Sequence, residues 1–221
     1  MGTTLAIRIF LLAAGCVLAL ILSCLGLETS KNNLIGWLLT GIGIGYLFGG
    51  AIYLWTYHDN EAVVREETGD RSFWLILPGF LAIFYGPPLE YLYLPETLPR
   101  LLWMQIAGLV LIAAGLLIRI WTRIVAKGLY TGHVQVKVSH RLVLEGPYQF
   151  VRHPGYTGYM VMAIGLSIGY SSLIGLFAIA ALLLPGLVYR MKVEETLLTL
   201  QFGDGYKQYT LKTKRLIPGI W

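Results

Sequence analysis

The polar chemistry of this chain is crowded into its last third. The run Ser139-His140-Arg141-Leu142-Val143-Leu144-Glu145-Gly146-Pro147-Tyr148 leads through Gln149-Phe150 into Val151-Arg152-His153-Pro154-Gly155-Tyr156. A second cluster holds Arg190, Lys192, Glu194 and Glu195, followed by Phe202-Gly203, Tyr206, Tyr209 and Lys214-Arg215-Leu216-Ile217-Pro218. Gly146-Pro147 makes a rigid turn. Pro154 pushes His153 out of helical angles and suits the first position of a helix. Tyr148, Arg152, His153 and Tyr156 are therefore expected around one helix N-terminus, where backbone N–H groups and the helix dipole favour an anion. Arg152 adds a planar fork that matches a carboxylate. The bland alternative is that Arg152 and His153 anchor a helix among lipid headgroups and that the glutamates are solvated helix-end charges. Glu194 and Glu195 point about 100° apart on a helix, so one of them is expected to face a site.

The elements that carry these residues are read from hydropathy. Hydrophobic residues make up 56% of the 221 and charged residues 13%, with a mean hydropathy of +0.66. A soluble domain carries about 25% charged residues. A bilayer core needs about 20 apolar residues as a helix. Leu5 to Leu27, Leu34 to Tyr57, Phe73 to Leu94 and Leu101 to Ile118 qualify, the third of them broken by Pro78, Pro87 and Pro88 and carrying Glu90 near its end. Tyr156 to Tyr189 runs 34 residues without a charge. Gly169-Tyr170-Ser171-Ser172 supplies turn chemistry inside that run. The expectation is a hairpin of helices over 156–169 and 172–200, the first arm short enough to be tilted. Val134, Val136 and Val138 alternate with polar residues, which suggests a short extended segment. The fold class expected is all-α: a polytopic membrane protein with about six transmembrane helices. Residues 1–127 are expected to be scaffold, and 128–221 the region that carries chemistry.

Charge sets the expected orientation. With the N-terminus, the 58–72 loop, the 119–154 segment and the C-terminal tail on one side, that side holds 15 of 17 Lys and Arg residues. Positive residues stay cytoplasmic, so both termini and the polar clusters are expected inside. The hairpin returns the chain, so both clusters should face one water layer and meet. The net charge of +5 fits that reading. No basic stripe is interleaved with exposed aromatics, so nucleic acid is not an expected partner. Cys16 and Cys24 lie in one apolar run and suit packing, and no metal-ligand spacing occurs. Gly41, Gly45 and Gly49 form small-residue spacings suited to close helix contact.

A resemblance sharpens the reading. His140 to Tyr148, Val151-Arg-His-Pro-Gly-Tyr156, Glu194-Glu195-x-x-Leu198, Phe202-Gly203-x-x-Tyr206-x-x-Tyr209 and Arg215-Leu-Ile-Pro218, in that order, resemble the isoprenylcysteine carboxyl methyltransferase family. Related phospholipid methyltransferases share parts of the pattern. The resemblance covers about residues 128–221. It implies S-adenosyl-L-methionine as cofactor, in a cytoplasmic pocket, and a lipid-like or isoprenoid acceptor entering from the membrane. Carried over by position, His140, Leu142, Tyr148, His153, Tyr156 and Glu195 would line the cofactor pocket. Arg152 and Arg215 would hold a carboxylate, and Glu194 would serve the cofactor or, with an amine acceptor, act as base. Because Arg152 is expected at a water boundary, replacing it should spare the fold.

Three other functions stay open on the residues alone. One is transfer to a phospholipid amine or a thiol. Another is a nicotinamide-dependent membrane sterol or enone reductase, which carries a similar Arg-His-Pro pattern. The third is a transporter or assembly factor. Transport places charges near the bilayer midplane, whereas Gln105 is the one strongly polar side chain expected well inside a span.

Overall fold

The computed structural model describes residues 63–66, 72–96, 98–126, 135–137 and 141–221. The expected helices over 5–27 and 34–57, with Cys16, Cys24, Gly41, Gly45 and Gly49, lie outside the described residues, and so does His140.

The described chain is helical apart from one two-stranded ladder. Strand β1 (Val63–Glu66) pairs antiparallel with β2 (Gln135–Lys137). The valine alternation around residue 136 marks an extended segment, as expected, in an otherwise helical chain. Helices α1 (Ser72–Tyr93), α2 (Leu102–Ala126) and α3 (Pro154–Gly169) come next. They are followed by α4 (Leu173–Phe202), which contains a π-helical segment over Ile179–Leu183, and by α5 (Asp204–Lys212). Both α2 and α4 are long and apolar enough to cross a membrane.

The hairpin forms where the turn residues predict it. Ser171 takes φ 52° between α3 and α4, and the Ser172 hydroxyl accepts from the Gly175 amide to cap α4. The buried carboxylate of Glu90, on the last turn of α1, accepts from the Ser172 hydroxyl. It also accepts from the Leu173 and Ile174 amides at 3.2 and 2.9 Å. A helix start carries unmet N–H groups and a positive dipole end, so a carboxylate there satisfies both.

Pro78, Pro87 and Pro88 do not break α1, which runs 22 residues through all three. Neighbouring helices can absorb the lost hydrogen bonds of a membrane proline. Here α1 lies so close to the π segment that a Cβ at Gly79 would stand 2.8 Å from the Leu183 backbone.

Helices α2 and α3 touch backbone to backbone. A Cβ at Gly108 would fall 2.5 Å from Gly169 Cα, and one at Gly115 would fall 2.6 Å from the Gly158 carbonyl. Ile83, Ile112, Met162, Leu166, Leu183 and Leu187 fill a core shared by α1, α2, α3 and α4. The 16 residues of α3 span about 24 Å at the helical rise, short of a 30 Å bilayer core. By the same rise the 30 residues of α4 extend about 45 Å. Its apolar stretch ends at Tyr189, and Arg190 to Phe202 continue beyond it.

Candidate active site

Gly146 at φ +63° and Pro147 open a single 3-10 turn over Gly146–Gln149. The chain leaves that turn extended and meets the tail: Val151 bridges Lys214 in parallel. The Arg152 amide donates to the Lys214 carbonyl at 2.7 Å and the His153 amide to the Arg215 carbonyl at 3.1 Å. His153 then caps α3, with Pro154 in its first turn. The Thr157 hydroxyl donates to the Leu216 carbonyl at 2.8 Å. These backbone bonds bring the two polar clusters together, as the hairpin predicts.

Glu195 is the hub. Arg152 Nε donates to it at 2.9 Å and Arg215 Nη2 at 2.8 Å. His153 Nε2 lies 3.2 Å from Glu195 Oε1, and His153 Nδ1 lies 3.6 Å from Glu194 Oε2. The imidazole therefore bridges the two glutamates, and both face the cluster. Spacing around the helix favoured one. The buried His153 ring sits between them with one nitrogen for each, which overcomes the angle. Glu194 also accepts from the Tyr156 hydroxyl at 3.0 Å, and the His153 and Tyr156 rings stack at 5.6 Å. Hydrogen bonding to Glu195 raises the pKa of Arg215 above its ordinary value, against the opposing pull of burial.

Arg152 is more enclosed than a water-boundary residue should be. Its side chain is 11% exposed, and Nη1 donates to the Thr210 carbonyl at 3.1 Å and to the Thr213 carbonyl. The residue binds the segment before α3, the polar end of α4 and the end of α5 into one unit. The expectation that its loss would spare the fold is therefore replaced. Arg215, 28% exposed in its side chain, is the more accessible of the two.

Of the remaining expected residues, Tyr148 is tied to α5 near this hub. Leu142 and Tyr148 are half-buried on the run into the turn, and the Tyr148 carbonyl accepts from the Tyr209 hydroxyl at 2.7 Å. Burial pushes the Tyr209 phenol up to about 12. Burial raises Tyr206 further, with Glu195 and Glu194 adding to it. The Tyr206 hydroxyl is buried and has no hydrogen-bond partner among the described residues.

Two arginines carry more of the site than sequence reasoning allotted them. Helix α2 continues to Ala126, so Arg119 is a buried helix residue and no loop cation. Its Nη1 donates to the Gly155 carbonyl at 2.8 Å, and its guanidinium lies 3.2 Å over the Tyr159 ring. The signal was present, because Arg119 falls on the same face as Gly108, Ile112 and Gly115 at helical spacing. Arg190 is buried too. It donates to the Tyr156 hydroxyl at 2.8 Å and to the Ser72 hydroxyl at 3.0 Å. On the membrane side, Phe80, Phe84, Ile112, Tyr159, Met162 and Leu183 line part of an apolar cavity of about 30 Å³.

A family model described as phospholipid methyltransferase matches residues 103–205. Protein-S-isoprenylcysteine O-methyltransferase B of Arabidopsis thaliana is 29% identical over 120 residues, 53% of this chain and 61% of that protein. The matched part is thus less than two thirds of that relative's length. The protein-S-isoprenylcysteine O-methyltransferase of Dictyostelium discoideum is 26% identical over 194 residues, 82% of this chain and 79% of that protein. Among solved structures, the eukaryotic intramembrane Ras methyltransferase, an isoprenylcysteine carboxyl methyltransferase, shares the fold. It aligns with a TM-score of 0.56 at 21% identity, covering 95% of this chain and 75% of that one. The family model is that of phospholipid methyltransferases, the named relatives are isoprenylcysteine methyltransferases, and the solved structure shares the fold.

Proposed function

We propose that the chain is a membrane methyltransferase that takes its methyl group from S-adenosyl-L-methionine. The proposed acceptor is lipid-like, with the carboxylate of an isoprenylcysteine or a similar isoprenoid acid first. The observation that carries this reading is the meeting of Arg152-His153 with Glu194-Glu195 at the polar end of an apolar hairpin. Such a place is reached from water and from lipid at once.

The donor set fits the cofactor. Carboxylates accept from ribose hydroxyls and from an ammonium group, and guanidinium groups pair with a carboxylate. When bound, the cofactor supplies an activated methyl group: an acceptor oxygen bonds to the methyl carbon as the carbon–sulfur bond breaks, and a neutral thioether leaves. A carboxylate acceptor is already a nucleophile, so the protein needs to position it and exclude water rather than supply a strong base. Glu194 and Glu195 bind, with His153 and Tyr156 setting their orientation. Tyr148 and Tyr156 offer aromatic faces to a cation. Arg215, the more exposed arginine, holds the acceptor or cofactor carboxylate, while Arg152 acts mainly by fixing Glu195. Leu142 is assigned to the pocket wall in this reading, and His140 is assigned to cofactor binding by the sequence resemblance alone. The domain division is 1–127 for scaffold and acceptor path and 128–221 for the cofactor. About six membrane crossings follow from the apolar runs, and cytoplasmic termini and site from the charge count.

A second reading has one observation in its favour, the phospholipid methyltransferase match over residues 103–205. An amine acceptor needs a base, and Glu194 would take that part. The test is incubation of the purified chain in lipid with methyl-labelled S-adenosylmethionine and three acceptors: a prenylated cysteine with a free carboxylate, its amide, and an aminophospholipid. Label on the free acid alone supports the proposal. Label on the phospholipid alone favours the second reading, and label on none sinks both.

A further inference from the structure

We infer that Arg190 is a positioning residue for the proposed cofactor site: it fixes the direction of the Tyr156–Glu194 hydrogen bond and ties that bond to the first turn of α1. The inference rests on the methyltransferase reading, and no other role is assigned to Arg190 there.

The argument starts from proton bookkeeping. A guanidinium has donors only. Arg190 Nε, 2.8 Å from the Tyr156 hydroxyl, must donate to it. The hydroxyl has a single proton, and with its oxygen already accepting, that proton points to Glu194 Oε2 at 3.0 Å. The order cation, phenol, carboxylate is therefore set by chemistry and not by chance rotamers. A phenol that accepts from a cation is also a stronger donor. Glu194 is held in one rotamer while its side chain stays 36% exposed and reachable.

Position on the helix adds a second strand to the argument. Arg190 and Glu194 are four residues apart, so they share one face of α4, and Tyr156 of α3 spans the gap between them. Arg190 is buried, at 8% exposure. A buried charge is costly unless paired and hydrogen-bonded, and apolar residues would fill such a place more cheaply. Its other arm reaches the fully buried Ser72 hydroxyl, 118 positions away in sequence. The chain Ser72–Arg190–Tyr156–Glu194 thus crosses α1, α4 and α3. A change at the start of α1, on the scaffold side, is transmitted to a cofactor ligand through three hydrogen bonds.

The experiment is calorimetric titration of the full chain in detergent with S-adenosylhomocysteine, alongside thermal unfolding of each sample. Arg190→Met should weaken binding about tenfold, the loss of one charge-assisted hydrogen bond. Tyr156→Phe should do the same. The double variant should be no weaker than the worse single one, because both break one chain. Arg190→Lys, which restores a donor to Tyr156, should recover part of the loss, and a purely structural role predicts neither the non-additivity nor the rescue. Should Arg190→Met not fold, Tyr156→Phe and Ser72→Ala decide: weakened binding by both supports the inference. Wild-type binding with unchanged dissociation constants in the folding variants, or losses that multiply in the double variant, overturns the inference alone. A wild-type chain that does not bind the probe overturns the methyltransferase reading and the inference with it.

Discussion

Removing the Arg152 side chain would leave Glu195 to Arg215 and His153 and release the Thr210 and Thr213 carbonyls. Losing a hydrogen bond to a charged group costs about 2 kcal/mol, and Arg152 makes three of them. Arg152→Ala is therefore expected to lower the thermal unfolding midpoint clearly and to abolish transfer, whereas Arg215→Ala, at a more exposed position, should lose transfer with little loss of stability. Unfolding followed by tryptophan fluorescence in detergent, beside a label-transfer assay, separates the two. Two buried tyrosines give a pH signature. Tyr209 is pushed up to about 12 by burial, and Tyr206 is raised as well. A neutral phenol is favoured in the folded state, so this contribution is whole below the ordinary tyrosine value near 10 and fades as pH climbs from there toward 12. Two late-titrating tyrosines by ultraviolet phenolate absorbance, with unfolding following their ionisation, is the expected result. Normal titration of all tyrosines in the folded chain would contradict it.

Helix contacts set a different kind of sensitivity. Where α2 and α3 meet at Gly108 and Gly115, a side chain has nowhere to go, because the near atoms are backbone, with the Met162 Cγ added at Gly115. Gly115→Val should force the helices apart and reduce the yield of folded protein, while Gly205→Ala, at a position with open space around it, should be silent. Detergent size-exclusion profiles of the two variants check this. Glu90→Ala removes the acceptor that serves the first amides of α4 and is expected to cost about 2 kcal/mol. Sequence reading found the hairpin, its turn, the Pro154 start and the extended segment near Val136, because each has a local chemical cause. It missed the Gly108–Gly165 and Gly115–Gly158 contacts because the glycines on each helix recur at a spacing of seven rather than four. It also ended α2 at Ile118, since Arg119 reads as a boundary when hydropathy alone is weighed. What makes Arg119 internal is the Gly155 carbonyl and the Tyr159 ring, partners more than thirty residues away. No local pattern reveals such partners. The same applies to Arg190, whose neighbour Ser72 belongs to another helix.

The ordered motifs did make the union of the two polar clusters legible, but not how tightly it is tied. The backbone pairing of Arg152 and His153 with Lys214 and Arg215 depends on turns at both ends of the hairpin, and none of that pairing is written in the residues involved.

That pairing has a consequence for biogenesis. Arg152 and Thr213 are 61 positions apart, and everything between them is the hairpin with its two short extensions. Translation must therefore deliver the whole hairpin, and the bilayer must accept it, before the tail can dock and the cluster around Glu195 can form. A nascent chain halted after α4 would be inserted and yet inert, and competence would arrive in a single late event when the tail closes on the Arg-His-Pro turn.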